Sequence, residues 1–183
     1  VRVPNVLPFS LSDAEAYTLA EDHITFTFEG KTFTAPLVGA FNLYNLLAAM
    51  TLARSLGVSL EVMGSALKHF APIRGRVEKV GDAARYGFDV IVDYAHTPDS
   101  FRALFEAFPN RRKICVFGAT GGGRDRWKRP EMGRIAENYC EEIILTDDDS
   151  YDEDTQAIME EIGGGMKKKP LMEKDRRSAI RLA

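Results

Sequence analysis

Cysteine is scarce in this chain: 183 residues hold two, Cys115 and Cys140. Cys115 lies in an apolar strand pattern, KICVF, and Cys140 ends a helical pattern. That favours two buried thiols in a reducing compartment over a disulfide or a metal pair. Long apolar runs are missing, and so is any stretch able to cross a bilayer. The first residues, VRVPNVLPF, lack the layout of a secretory signal. An excess of basic charge is missing too. Lys and Arg number 24 against 27 Asp and Glu, a formal net charge of −3, so no overall positive field argues for nucleic acid. The basic residues that are present crowd into one glycine loop, with no aromatic stacking platform beyond Trp127. Three ligand signatures are absent as well: the P-loop pattern G-x-x-x-x-G-K-[ST], the dinucleotide pattern G-x-G-x-x-G after a first strand, and the calcium-loop spacing. Hydrophobic residues at 45% and charged residues at 28% describe an ordinary globular protein, long enough for one large domain or one and a half smaller ones.

Residues 1 to about 35 read as β structure. ITFTF and TFTA alternate apolar with polar around Glu-Gly-Lys, a hairpin signal. A long helix follows over about 42–56, with Leu43, Leu46, Leu47, Met50 and Leu56 near the 3.6 period and Gly57 as its stop. Ser59 is placed to cap a second helix running to about Phe70. APIRGR then breaks the pattern and reads as an interdomain junction.

From Val77 onward strands alternate with helices. GFDVIVDY, KICVFG and EEIILT read as strands. The helices are predicted to open at Thr97-Pro98, at Pro130 as the first helical residue, at about Thr155, and near Asp175. Such alternation implies an α/β protein with a parallel, doubly wound sheet. Three strands end in polar loops, DYAHTP, GATGGGRDRWKR and TDDDSYDED. Neighbouring strands would line these loops along one sheet edge, where they share a ligand.

The glycine loop is the densest signal. Four glycines in six residues allow tight turns with N–H groups facing inward, and Arg124, Arg126, Lys128 and Arg129 follow. Guanidinium forks beside a helix N-terminus suit phosphate or carboxylate. A flexible solvated basic loop is the plainer alternative. DYAHTP delivers Asp93, an acceptor for ribose hydroxyls, and His96, a donor to phosphate or a partner for a base. A turn-forming Asp and a structural His are the corresponding plain readings. Six carboxylates stand between Asp147 and Asp154. They form either a solvated charge run or a place for a cationic group. Asn42 and Asn45 open a helix, as caps or as readers of an adenine edge.

The segments GAFNLYNLLAA (39–49), GRVE (75–78), DYAHTPD (93–99), GGGRDRWKRPEMG (121–133) and LTDDDSYDED (145–154) resemble, in order and spacing, the Mur ligases of peptidoglycan synthesis. They extend over most of the chain. DYAHTPD together with RDxxKRPxMG is the specific pair. The resemblance is greatest to the branch that adds the third residue to UDP-N-acetylmuramoyl-L-alanyl-D-glutamate. It implies that residues 74–183 are a Rossmann-like, doubly wound C-terminal domain, cut short at its end. Residues 1–73 would be the C-terminal part of a P-loop-type, ATP-binding central domain. It implies an ATP-dependent ligase using Mg2+. ATP phosphorylates the substrate carboxyl, the incoming amine attacks the acyl phosphate, and phosphate leaves. By position, Asn42 and Asn45 lie near adenine, Arg76 and Asp93 hold the ribose, and His96 sits beside the nucleotide. Arg126 stands where the family has a phosphate-contacting Lys, and with Lys128 it is assigned to the chemistry. Arg124 stands where the family's Arg meets the carboxylate of the incoming amino acid. Asp148, Asp149, Ser150 and Tyr151 form the amino-acid loop. The implied setting is a cytoplasmic monomer with no membrane or nucleic-acid partner.

Two departures from the family pattern shape the expectation. Members that add diaminopimelate read Asp-Asn-Pro-Arg in the third loop, and this chain has Asp148-Asp149-Ser150-Tyr151. Tyr151 supplies no positive charge, and Asp149 and Asp152 attract an ammonium, so lysine or another diamino acid is expected, with meso-diaminopimelate as the alternative. The family's GxxGK[ST] loop, carbamylated Lys and magnesium ligands would belong before Val1, and its GKGHE segment after Ala183. No metal ligand is therefore expected within this stretch, which by itself is expected to be inactive. Two rivals remain: a sister ligase acting on folate or cyanophycin-like substrates, and a stand-alone nucleotide- or anion-binding module.

Overall fold

The structure is a computed structural model that describes residues 6–71 and 73–183. The first five residues of the expected β region, and Pro72 of the expected junction, lie outside the described residues. The chain forms two compact units. One holds the described residues up to Tyr94 with Glu106–Phe108, the other Ala95–Phe105 with Pro109–Ala183.

The first unit opens with an antiparallel meander of β1 (Ala16–Leu19), β2 (Ile24–Phe28) and β3 (Lys31–Ala35). Ile24, Phe26 and Phe28 face the core, while Thr25 and Thr27 pair across the strands with Thr34 and Thr32. That alternation fixes the register, because a one-residue slip would expose every aromatic. The β2–β3 turn is Glu29-Gly30, both at positive φ (49° and 72°), the two-residue turn whose twist matches a hairpin. Helix α1 (Ala40–Ser55) buries Leu43, Leu46, Leu47 and Met50 against this sheet. Helix α2 (Leu60–Lys68) adds Met63 and Leu67. Ser59 caps α2 as expected, its hydroxyl accepting from the Val62 amide at 3.4 Å. Each such apolar side chain contributes about 1.5–3 kcal/mol on burial, and these residues are the unit's core.

The expected strand GFDVIVDY shortens to β5 (Ile91–Val92). It pairs antiparallel with β4 (Glu78–Lys79) in a separate two-stranded sheet. The expectation that DYAHTP ends a strand of the parallel sheet is corrected accordingly. A parallel strand is covered on both faces, and here Val90 and Val92 remain 37% and 45% exposed.

The second unit is built on three parallel strands in the order β6 (Ile114–Phe117), β7 (Glu142–Leu145) and β8 (Leu171–Met172). Helix α3 (Pro98–Glu106) packs Phe101 on Phe117 with ring centroids 4.8 Å apart. Thr97 caps it, its hydroxyl accepting from the Ser100 amide. Helices α4 (Lys128–Tyr139) and α5 (Thr155–Gly163) bury Met132, Ile135, Ala136, Ile158, Met159 and Ile162. Helix α6 (Arg176–Leu182) closes the described chain, capped by Asp175. α4 begins at Lys128, two residues before the expected Pro130. Proline is tolerated there because first-turn N–H groups have no acceptor within the helix. α4 and α5 touch backbone to backbone. A Cβ on Gly133 would collide with the Ile162 carbonyl, and one on Gly165 with the Pro130 carbonyl.

Candidate functional site

Two of the three loops read from the sequence come together. The glycine loop leaves the C-terminal end of β6 and the acidic loop leaves that of β7, and the two strands are paired. Ligands of open parallel sheets sit at such strand ends. Thr146 continues the ladder by donating to the Phe117 carbonyl at 3.0 Å. Beyond it the loops interlock. The Gly121 amide donates to the Asp149 carbonyl at 3.1 Å. A side chain at Gly121 would collide with the Ser150 carbonyl, and one at Gly118 with the Thr146 carbonyl. Gly122, at φ 68°, lies under the ring of Tyr151: a Cβ there would stand 3.1 Å from it.

The acidic loop is not a free charge run. Asp149 and Tyr151 hold left-handed backbone, at φ 49° and 51°, a conformation non-glycine residues adopt at a cost. Ser150 and Thr155 share a hydroxyl hydrogen bond of 2.9 Å, and Thr155 donates to the Asp147 carboxylate at 3.1 Å. Glu153 donates its amide to the Ser150 carbonyl at 3.0 Å. Arg176 of α6 donates through Nε to the Asp147 carbonyl at 3.0 Å and pairs with the Asp148 carboxylate at 3.4 Å. Tyr151 is 73% exposed, so its ring is presented to solvent over the glycine loop.

Arg129 ties the two loops together, and sequence reasoning counted it only among the loop's cations. It is fully buried. One guanidinium nitrogen reaches Glu153 and Glu161, both at 2.8 Å; the other reaches Glu153 at 3.0 Å and the Thr120 carbonyl at 3.2 Å. The Arg129 guanidinium beside Glu153 holds that carboxyl below its usual range. Arg126 pairs with the same Glu161 and stays mostly exposed. Arg124 is exposed and Lys128 half-buried. The signal for Arg129 was present: once α4 starts at Lys128, positions 129, 132, 133 and 136 share its inner face, and all four are buried.

The residues expected at the nucleotide fall into smaller groups. Arg76 and Asp93 flank the β4–β5 ladder in sequence, each with its own partner. Asp93 accepts from the Val77 amide at 2.8 Å, and the Arg76 guanidinium lies 4.7 Å over the Tyr94 ring. Val77 between them has φ 50°. Asn42, half-buried in the first turn of α1, donates to the Val38 carbonyl at 2.9 Å, and Asn45 is exposed one turn on. His96 is exposed at the start of the α3 turn, its amide bonded to Ser100 Oγ at 3.2 Å. His96 belongs to the second unit, while Asn42, Asn45, Arg76 and Asp93 belong to the first.

Both cysteines are free thiols, and they are half-buried where buried thiols were expected. The interaction between the two thiols pushes Cys115 up and Cys140 down. Among the described residues no three His, Cys, Asp or Glu side chains come together as metal ligands, and no helix is long and apolar enough to cross a membrane.

Residues 75–183 match the family model described as Mur ligase, glutamate ligase domain. Curated relatives agree over a longer stretch. The chain is 47% identical over 153 residues to the UDP-N-acetylmuramoyl-L-alanyl-D-glutamate–2,6-diaminopimelate ligase of Gloeobacter violaceus, covering 81% of this chain and 31% of the relative. Relatives of the same name from Wolinella succinogenes and Helicobacter pylori are 40% and 37% identical, over 92% and 96% of this chain and 39% and 40% of theirs. The chain thus spans about a third to two fifths of the length of these relatives. Among solved structures, a 2,6-diaminopimelate ligase aligns with TM-score 0.53 at 27% identity, over 91% of this chain and 36% of that one. The folylpolyglutamate synthase of Mycobacterium tuberculosis aligns with TM-score 0.71 at 18% identity, over 93% and 40%, a likeness of fold.

Proposed function

Since the chain belongs to the Mur ligase family, we propose that the whole protein joins meso-diaminopimelate to UDP-N-acetylmuramoyl-L-alanyl-D-glutamate at the expense of ATP. The observation that carries this reading is the run of relatives named as diaminopimelate ligases, 37–47% identical over 81–96% of the chain. They support the alternative, diaminopimelate, better than lysine, the expectation drawn from the acidic loop. The physical reason is that the two amino acids share the feature used to choose between them. Both carry an ammonium at the far end of the side chain, so an acidic loop suits either. They differ in the far carboxylate, and that argument rested on Tyr151 standing where an Arg was looked for. A guanidinium is nevertheless fixed on this loop: Arg176 is anchored on Asp147 and Asp148 from α6.

In this reading residues 1–73 belong to the ATP-binding central domain and 74–183 to the C-terminal domain. Asn42 and Asn45 face the adenine, Arg76 and Asp93 the ribose, and His96 the nucleotide. The Asp93 carboxylate is already oriented by the Val77 amide, which suits an acceptor for ribose hydroxyls. Arg124 takes the carboxylate nearest the attacking amine, and Asp148 to Tyr151 line the side-chain end. Arg126 and Lys128 place positive charge where phosphoryl oxygens gather charge. Arg126, 64% exposed at its side chain while paired with Glu161, stays within reach of an anion. Magnesium accompanies ATP, and the setting is the cytoplasm, where nucleotide substrates and free thiols coexist.

The test uses the full-length protein with Mg-ATP and UDP-N-acetylmuramoyl-L-alanyl-D-glutamate. Phosphate release is measured with meso-diaminopimelate, lysine and ornithine in turn. Release with diaminopimelate supports the proposal. Release with lysine or ornithine only restores the diamino-acid reading, and release with none overturns the ligase assignment.

A further inference from the structure

We infer that Arg129 is a positioning residue for the amino-acid site: its buried guanidinium locks the acidic loop onto the glycine loop and so sets the place of Tyr151 over Gly122. The inference rests on the proposed ligase reading for its kinetic consequences and on geometry for the lock itself.

Four acceptor contacts converge on one side chain from three directions. Thr120 belongs to the glycine loop, Glu153 to the acidic loop and Glu161 to α5. Two nitrogens fork the two oxygens of Glu153, the geometry a guanidinium provides and an ammonium does not. Lys in this place would meet one of these partners well and leave the others.

Stability is a poor explanation for the arrangement. Taking a guanidinium wholly out of water costs heavily, and well-packed apolar residues often do as well or better. The Nε of Arg129 is buried with no hydrogen-bond partner, a further cost. What the arrangement provides is definition. The acidic loop carries two residues in left-handed backbone, Asp149 and Tyr151, and such strain persists only when the surroundings over-determine it. The lock supplies that determination from Glu153, two residues beyond Tyr151. Glu161, the third partner, also pairs with the exposed Arg126.

The consequence is a split in kinetic parameters. Arg129 and the proposed amino-acid residues lie in the second unit, while Asn42, Asn45, Arg76 and Asp93 lie in the first. Loosening the lock therefore moves the amino-acid site and leaves most of the nucleotide contacts in place. Misplacement by about 1 Å costs up to about 100-fold.

The experiment compares full-length wild type with Arg129→Lys and Arg129→Met. Steady-state kinetics are corrected for the folded fraction by thermal unfolding, and amide hydrogen exchange is read at Gly121, whose N–H bonds the Asp149 carbonyl. The expected result is a rise of about 10- to 100-fold in KM for the amino acid, a much smaller change in KM for ATP, and faster exchange at Gly121 in both variants. Equal KM values for the amino acid in wild type and Arg129→Lys overturn the inference, because charge without the fork then suffices. A parallel rise of both KM values overturns it too, since that marks a general structural role. If wild type turns over no amino acid, the ligase reading is the one that falls. Gly121 exchange then decides the lock: unchanged exchange overturns it and faster exchange sustains it.

Discussion

The amide of Gly121 donates to the carbonyl of Asp149 across 3.1 Å, and the Cα of Gly121 faces the Ser150 carbonyl with no room for a methyl group. The glycine loop and the acidic loop therefore form one surface. Gly121→Ala is expected to force them apart and to destabilise the protein by about 1–3 kcal/mol, the usual cost of overpacking. Chemical denaturation measures it; an unchanged midpoint would show that the loops separate freely.

Gly133 makes a sterner version of the same contact. Its Cα lies against the Ile162 carbonyl, with both residues in helices packed through their backbones. Loops yield and paired helices do not, so Gly133→Ala is expected to cost more than Gly121→Ala, about 3 kcal/mol or above. Gly164 is the control: its φ of −61° suits any residue, and a Cβ would meet its nearest neighbour at 3.4 Å. Gly164→Ala is expected to change stability by less than about 1 kcal/mol. A reversed order in parallel melts would contradict the packing described.

Glu153 makes stability depend on acid. Its pKa is lowered, first by the hydrogen bond from Arg129. A carboxyl with a folded pKa below its unfolded one stabilises fully above the unfolded value, about 4.3. That contribution is lost as pH falls through the lowered value. Melting temperatures from pH 6 to 3 are expected to drop more steeply in wild type than in Arg129→Met. Glu61, lowered to about 2 first by the hydrogen bond from Lys31, and Glu137 and Asp175, also lowered by hydrogen bonds, contribute to the slope that remains. Identical slopes would show that the Arg129–Glu153 pair does not persist in solution.

The cysteines are expected to react in a fixed order. The interaction between the two thiols lowers Cys140 and raises Cys115, and the thiolate is the reactive form. Limited alkylation at pH 8 followed by peptide mass mapping should find Cys140 modified first. Cys115 modified first would contradict those directions.

The parts of the fold that were legible in the sequence are those with a period. ITFTF and TFTA alternate cleanly, and Leu43, Leu46, Leu47 and Met50 mark one face of α1, because burial imposes those spacings. β8 escaped notice because Leu171-Met172 is two residues long and carries no period. GFDVIVDY misled for the converse reason: an apolar run looks the same whether a parallel sheet buries it or a two-residue ladder leaves it half exposed. At the site, the glycine and acidic loops were found by composition, and their contact followed from neighbouring strands. Arg129 was hidden by its company. In a run of four cations, only the helical phase of α4 separates the buried one from the exposed ones. The amino acid was not legible from the acidic loop, because the ammonium that such a loop attracts is common to lysine and diaminopimelate and only Tyr151 spoke for one over the other.

The most direct test of the account is a competition. Full-length protein is given Mg-ATP, UDP-N-acetylmuramoyl-L-alanyl-D-glutamate and equal amounts of meso-diaminopimelate, lysine and ornithine, and the product is weighed by mass spectrometry. The ratio of products reports relative kcat/KM directly. The account predicts a tripeptide product that carries diaminopimelate almost exclusively. A product that carries lysine or ornithine, or no tripeptide at all, would contradict it.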